Sequence, residues 1–175
     1  MGRLVVLDPG HGGSDPGAMP GEVREADVCL RVALKLQEEL HRQYAVPTML
    51  TRSGDYYLTQ TARRRLAEDA GARMLVSIHL NSYTSFATGF EVWHRASPKL
   101  ASAFSGALRI ALPAVFPNRG VKVADWAVLR GKMPSVLLEL GFMTDPKFME
   151  FILGDDGVRS VAVELAKVAA SLLRN

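Results

Sequence analysis

Four side chains of this 175-residue chain are of types that carry hydrolytic chemistry, and they fall where a fold can gather them. His11 follows the apolar run Arg3 to Leu7 through Asp8-Pro9-Gly10, His79 follows Val76-Ser77-Ile78, and Glu139 follows Val136-Leu137-Leu138. A fourth, Glu25, opens a helical pattern just after the glycine-rich stretch that carries His11. Two histidines and a carboxylate are a recurring catalytic zinc set that leaves one position for water. Such a zinc lowers the pKa of its water to about 7 and polarises a bound carbonyl. Hydrolysis then needs a second carboxylate to move protons, and Glu139 is the remaining candidate. Its apolar neighbours would raise its pKa toward a useful value.

Each residue taken alone has an ordinary explanation. A histidine after a strand is commonly a hydrogen-bonded structural residue, and a glutamate at a helix start is commonly a cap or dipole partner. Glu139 resists that reading, because an unpaired carboxylate at the end of a buried run is costly. The helical HExxH pattern of many zinc peptidases is absent.

For the four to meet, the elements carrying them must lie side by side. Arg3 to Leu7, stopped by Asp8-Pro9-Gly10, reads as a buried strand followed by a glycine-rich loop from Pro9 to Gly21. From Glu25 to about Arg42, residues Ala26, Cys29, Leu30, Ala33, Leu36 and Leu40 share one helical face. The pattern predicts further strands at Val46 to Leu50, Arg73 to Ile78, Phe90 to Trp93 and Ser135 to Leu140, with a short edge strand at Trp126 to Leu129. Helices are expected from Thr59 to Ala70, closed by Gly71, and from Ser97-Pro98 to about Leu112, with Ser97 as the cap. A short helix opens at Thr144-Asp145-Pro146, a last one runs from about Asp156 to Leu173, and Pro113 to Val123 reads as loop. Strands alternating with helices predict one α/β domain over residues 1–175, a twisted, mostly parallel sheet with helices on both faces. In such sheets sites form beyond the carboxyl ends of the strands, which is where the zinc site is expected.

Composition narrows the partners. The net charge is +3 and the basic residues are scattered, apart from Arg63, Arg64 and Arg65, which read as a solvated helix face; no nucleic-acid footprint emerges. The single Cys29 excludes an internal disulfide and reads as a small core residue. No run approaches the roughly 18 apolar residues of a membrane span. The N-terminal apolar run is too short for a signal-peptide core, so delivery by another route or a removed leader is expected. His41 and His94 lack partners at ligand spacing and read as surface or structural residues. Trp93 and Trp126 read as core residues before sugar platforms, and Glu91 as structural, with lining of the cleft as the alternative. Asn81 either hydrogen-bonds a substrate or orients His79.

Three segments carry a resemblance. Val6-Leu7-Asp8-Pro9-Gly10-His11-Gly12-Gly13 with Asp15-Pro16-Gly17-Ala18 is the first, Ser77-Ile78-His79-Leu80-Asn81-Ser82 the second, and Pro134-Ser135-Val136-Leu137-Leu138-Glu139-Leu140-Gly141-Phe142 the third. They resemble, in order, segments of the zinc-dependent N-acetylmuramoyl-L-alanine amidases often called family 3. Thr51-Arg52 with Asp55, Gly89-Phe90-Glu91 and Arg119-Gly120-Val121-Lys122 fall at the expected places between them. The resemblance covers nearly the whole chain. It implies that His11, Glu25 and His79 bind one zinc and that Glu139 is the catalytic carboxylate. Glu25 is preferred to Glu22 because the family places this glutamate just before the first helical valine, as in Glu25-Ala26-Asp27-Val28. Glu68 and Leu80 depart from the family pattern; Leu80 bears on the shape of the substrate groove and not on the metal.

The activity implied is hydrolysis of the amide between N-acetylmuramic acid and L-alanine in peptidoglycan, at the bacterial cell wall, as in an endolysin or autolysin. Spacing alone says only zinc hydrolase. A zinc peptidase on the same fold is one alternative, favoured by any basic residue placed to clamp a substrate carboxylate. A wall-binding module without catalysis is the other, and the retained Glu139 argues against it. Some relatives are held inactive by a helix inserted between the second histidine and the catalytic glutamate. Here that interval is filled by the expected strand, helix and loop, so an open cleft and no need for an activator protein are expected.

Overall fold

The computed structural model describes residues 2–83 and 87–174. Its strands are β1 (Val5–Pro9), β2 (Thr48–Leu50), β3 (Met74–Asn81), β4 (Phe90–His94), β5 (Asn118–Val123) and β6 (Ser135–Phe142). Its helices are α1 (Glu25–Tyr44), α2 (Gln60–Asp69), α3 (Pro98–Ala111), α4 (Pro146–Leu153) and α5 (Asp155–Leu172), with a 3-10 turn at Ala127–Leu129. Apolar runs such as Val5-Val6-Leu7 and Val136-Leu137-Leu138 suit strands covered on both faces. They lie inside one six-stranded sheet of order β2-β1-β3-β6-β4-β5. All neighbours are parallel except β4 with β6.

The two faces are covered unequally. On one, Val5, Leu7, Val76, Ile78, Val92, Val136 and Leu138 pack under α1, α3, α4 and α5. On the other, Val6, Leu75 and Leu137 form a smaller buried cluster with Ala67 of α2 and Val128 and Leu129 of the 3-10 turn, with partly buried side chains such as Met49, Trp93, Trp126 and Met133 packed against it. Because side chains alternate along a strand, this second face also receives Asp8, Ser77, His79, Glu139, Glu91 and Trp93. His79 and Glu139 are register partners, and so are Glu139 and Glu91. One row of polar side chains therefore crosses β3, β6 and β4.

Several expectations are corrected. His79 lies within its strand and not after it, because the ladder continues to Asn81; the strand expected to hold Glu139 runs on to Phe142. The stretch read as loop contains β5, whose residues are largely exposed, its two valines included; its strand form comes from pairing with β4. Trp126 to Leu129 is no edge strand but the 3-10 turn, with Trp126 packed on Trp93 at 4.9 Å between centroids. Ser97 does not cap α3; its hydroxyl accepts from the Ser135 N–H at 3.2 Å. Thr59 and Asp145 do cap α2 and α4 through their side chains. Arg63 is no solvated residue: it is 4% exposed.

Candidate metal centre

The backbone leaves β1 sharply. His11 has φ 58°, in the left-handed region, followed by Gly12 and Gly13 at φ 123° and 61°. At Gly10 a Cβ would stand 2.3 Å from Cε1 of His79, so only glycine lets this loop approach the imidazole. The turn carries carbonyls that cannot join the sheet, and two buried arginines take them. Arg52 donates to the carbonyls of Pro9, Gly10 and Ala26 at 3.0, 2.6 and 2.7 Å. Arg63 donates to the carbonyls of Pro9 and His11 at 2.5 and 2.6 Å and to Asp8 at 2.9 Å. Asp8 also accepts from the hydroxyls of Thr51 and Ser77 at 2.5 and 2.6 Å.

On this base three donors converge. His11 Nε2 lies 3.0 Å from Glu25 Oε1, and His79 Nδ1 lies 3.2 Å from each of them. Glu25 is held at both oxygens, Oε1 accepting from the Leu80 N–H at 3.0 Å and Oε2 from the Ala18 N–H at 2.9 Å. His11 Nδ1 is 2.9 Å from Asp15 Oδ2, so it donates there and leaves Nε2 facing the cluster. The side chains of His11 and His79 keep 23% and 18% exposure, whereas Glu25 keeps 4%. Burial pushes the Glu25 carboxyl up, but contact with His11 and His79 outweighs it and holds Glu25 well below the usual carboxylate range. Burial pushes His11 down, yet Glu25 and Asp15 leave it above its ordinary value. Among the described residues these three form the group placed to hold a metal ion.

Glu139 stands beside them in register with His79. Its Oε2 is shut from solvent and has no hydrogen-bond partner among the described residues. Burial drives its carboxyl well above the usual range, and the charges of Glu25 and Glu91 add to the effect.

Residues 5–170 match the family model described as N-acetylmuramoyl-L-alanine amidase. The chain belongs to the N-acetylmuramoyl-L-alanine amidase family. It is 32% identical to an endolysin of Bacillus phage SPP1, over 99% of this chain and 67% of that protein. It is 37% identical to the sporulation-specific N-acetylmuramoyl-L-alanine amidase of Bacillus subtilis (strain 168), over 79% of this chain and 56% of that one. It superposes on the crystal structure of an N-acetylmuramoyl-L-alanine amidase from Clostridium difficile 630 with a TM-score of 0.92 at 31% identity, covering 99% and 98% of the two chains.

In this amidase the sequence-expected residues His11, Glu25, His79 and Glu139 gather at the carboxyl end of β1, β3 and β6. Glu22, the rival of Glu25, is exposed. Asn81 turns its side-chain oxygen to the Ser82 N–H at 2.8 Å, and among the described residues it makes no bond to His79. Sequence reasoning missed Asp15, which orients His11, and Arg63, which supports the loop beneath it. The Asp15 signal was available as a carboxylate four residues after a candidate ligand. Glu91, left between two readings, is 2% exposed and is covered by basic residues.

Proposed function

We propose that His11, Glu25 and His79 hold one zinc ion, and that Glu139 moves the protons in hydrolysis of the amide joining N-acetylmuramic acid to L-alanine in peptidoglycan at the bacterial cell wall. The observation that carries this reading is the triangle of donor atoms, with sides of 3.0, 3.2 and 3.2 Å. Tetrahedral zinc with bonds of about 2.0–2.2 Å has ligand edges of about 3.3–3.6 Å, so the three donors fit the ion with minor adjustment. Two imidazole nitrogens and one carboxylate oxygen also match the ligand set of hydrolytic zinc.

Bound there, zinc supplies a Lewis acid that polarises the amide carbonyl and makes water acidic near neutral pH. The chain's own residues do the rest. Asp15 and the backbone N–H groups of Ala18 and Leu80 keep His11 and Glu25 oriented toward the ion. The Glu139 carboxylate takes the proton of the attacking water and returns it to the departing L-alanine nitrogen. An unpartnered Glu139 oxygen suits that task, since a carboxylate saturated with hydrogen bonds would be a weak base.

Separate roles give the test. His79→Ala should lose zinc and activity together. Glu139→Gln should keep zinc by metal analysis and lose about 10²–10⁴-fold in rate. Mass spectrometry of digested peptidoglycan should show free L-alanine amino termini. A Glu139→Gln protein that binds no zinc would make Glu139 a ligand and overturn the assignment.

A further inference from the structure

We propose that Arg119 and Lys122, held by the buried Glu91, form a carboxylate-binding subsite for the stem peptide of the substrate. The proposal rests on the amidase reading above and extends it. Glu91 is 2% exposed, and its Oε1 accepts from both Arg119 Nε and Lys122 Nζ at 2.7 Å, while Oε2 accepts from Trp93 Nε1 at 3.1 Å. In a regular strand residues three apart face opposite sides. β5 carries one extra residue here: Phe90 pairs with Asn118, but Val92 pairs with Val121. This bulge, with Gly120 at φ 96°, brings Arg119 and Lys122 onto the same carboxylate.

Two cations meet one anion, so the cluster keeps a net positive charge. Arg119 spends only Nε on Glu91, and among the described residues its two Nη groups have no hydrogen-bond partner. Its side chain is 40% exposed and lies 5.0 Å from the centroid of Phe142, at the carboxyl end of β6. The free edge of the guanidinium is a fork that matches a carboxylate. Lys122 is 34% exposed and covers Trp93 at 5.1 Å, and Trp126 packs on that indole too. Trp93 is therefore committed to the protein and is no sugar platform.

Position sets which carboxylate is meant. Glu91 is the cross-strand neighbour of Glu139, and β5 is one strand further. At about 4.8 Å per strand the cations lie about 5–10 Å from the reacting amide. An extended peptide covers that in one to three residues at about 3.3–3.6 Å each. The first carboxylate a muramoyl stem offers beyond its alanine is the α-carboxylate of the second residue, a glutamate joined onward through its side chain. A carboxypeptidase would instead clamp a chain terminus adjoining the bond it cuts.

The test uses two synthetic N-acetylmuramoyl tripeptides that differ only in whether this α-carboxyl is free or amidated. Arg119→Ala and Lys122→Ala should raise KM for the free carboxylate about tenfold more than for the amide, the effect of one charged hydrogen bond. Because both substrates are read on the same protein, a folding defect lowers both alike and cannot mimic the difference. Arg119→Lys, which keeps the charge on Glu91, should recover part of the preference. Equal losses on both substrates would overturn the proposal. So would unchanged kinetics with weakened binding to walls bearing phosphate polymers, which would assign the cations to that polymer. A wild-type protein that cleaves neither tripeptide, or cleaves unmuramoylated peptides instead, would overturn the underlying reading as well.

Discussion

At the scale of one residue, the role proposed for Glu139 sets function against stability. Its folded carboxyl lies well above the ordinary glutamate value, chiefly through burial. A raised acid contributes its full stability below the unfolded pKa of about 4.3 and loses it as pH rises through the folded pKa. In the metal-free protein Glu139→Gln should therefore raise the melting temperature at pH 8 and leave it nearly unchanged at pH 4, while activity disappears. Thermal melts with chelator present check this, and a lower melting temperature at pH 8 would show that the carboxylate is well solvated. Gly10 is a second such residue. A Cβ there would meet the His79 ring, whose edge atoms lie 2.3–2.6 Å away. Gly10→Ala should weaken zinc binding while circular dichroism stays native, measured by competition with a chromogenic chelator.

At the scale of elements, the loop between β1 and α1 is the part most dependent on distant support. Past Gly10 its backbone pairs within itself, Gly12 with Asp15, and among the described residues not with the six-stranded sheet; its carbonyls rest on Arg52 of the segment after β2 and Arg63 of α2. Arg63→Ala would leave Asp8, which is fully buried, without its cation. Removing one partner of a buried pair costs about 3–5 kcal/mol, so urea unfolding should show a loss of that order with reduced zinc affinity. Arg63→Lys should recover little, because one ammonium cannot span Asp8 and the carbonyls of Leu58, Pro9 and His11. A loss below about 1 kcal/mol, the size of a surface pair, would contradict this picture.

At the scale of the whole molecule, the uneven covering of the sheet matters most. Four helices bury one face, while among the described residues the face bearing the donors is covered by α2 and a 3-10 turn. The helix lying between His79 and Glu139 in sequence, α3, packs against β4, β5, β6 and α5 and belongs to the opposite face. Both histidines of the donor cluster keep part of their side chains exposed. The isolated, zinc-loaded chain is therefore expected to digest purified peptidoglycan without a second protein. Silence until a partner is added would refute that expectation.

The sequence alone determined the α/β alternation, the strand that carries Glu139, the apolar run that leads into His79, and the amphipathic helix that Glu25 opens, because these are written in local apolar patterns. His11 was legible as the residue after an apolar run stopped by Pro9-Gly10. Glu25 was separable from Glu22 only through the family pattern; burial of one and exposure of the other depend on Ala18 and Leu80, which meet Glu25 only in the folded chain. The arginine run shows the limit clearly. Arg63, Arg64 and Arg65 are identical in type, and only rotation about the α2 axis turns Arg63 inward toward Asp8, 55 residues away in sequence. β5 was invisible for the same reason: its residues are largely exposed, Val121 and Val123 included, and their form and their hold on Glu91 come from the neighbouring strand. Local pattern encodes what each segment can bury. Which buried charge meets which partner is decided by long-range packing.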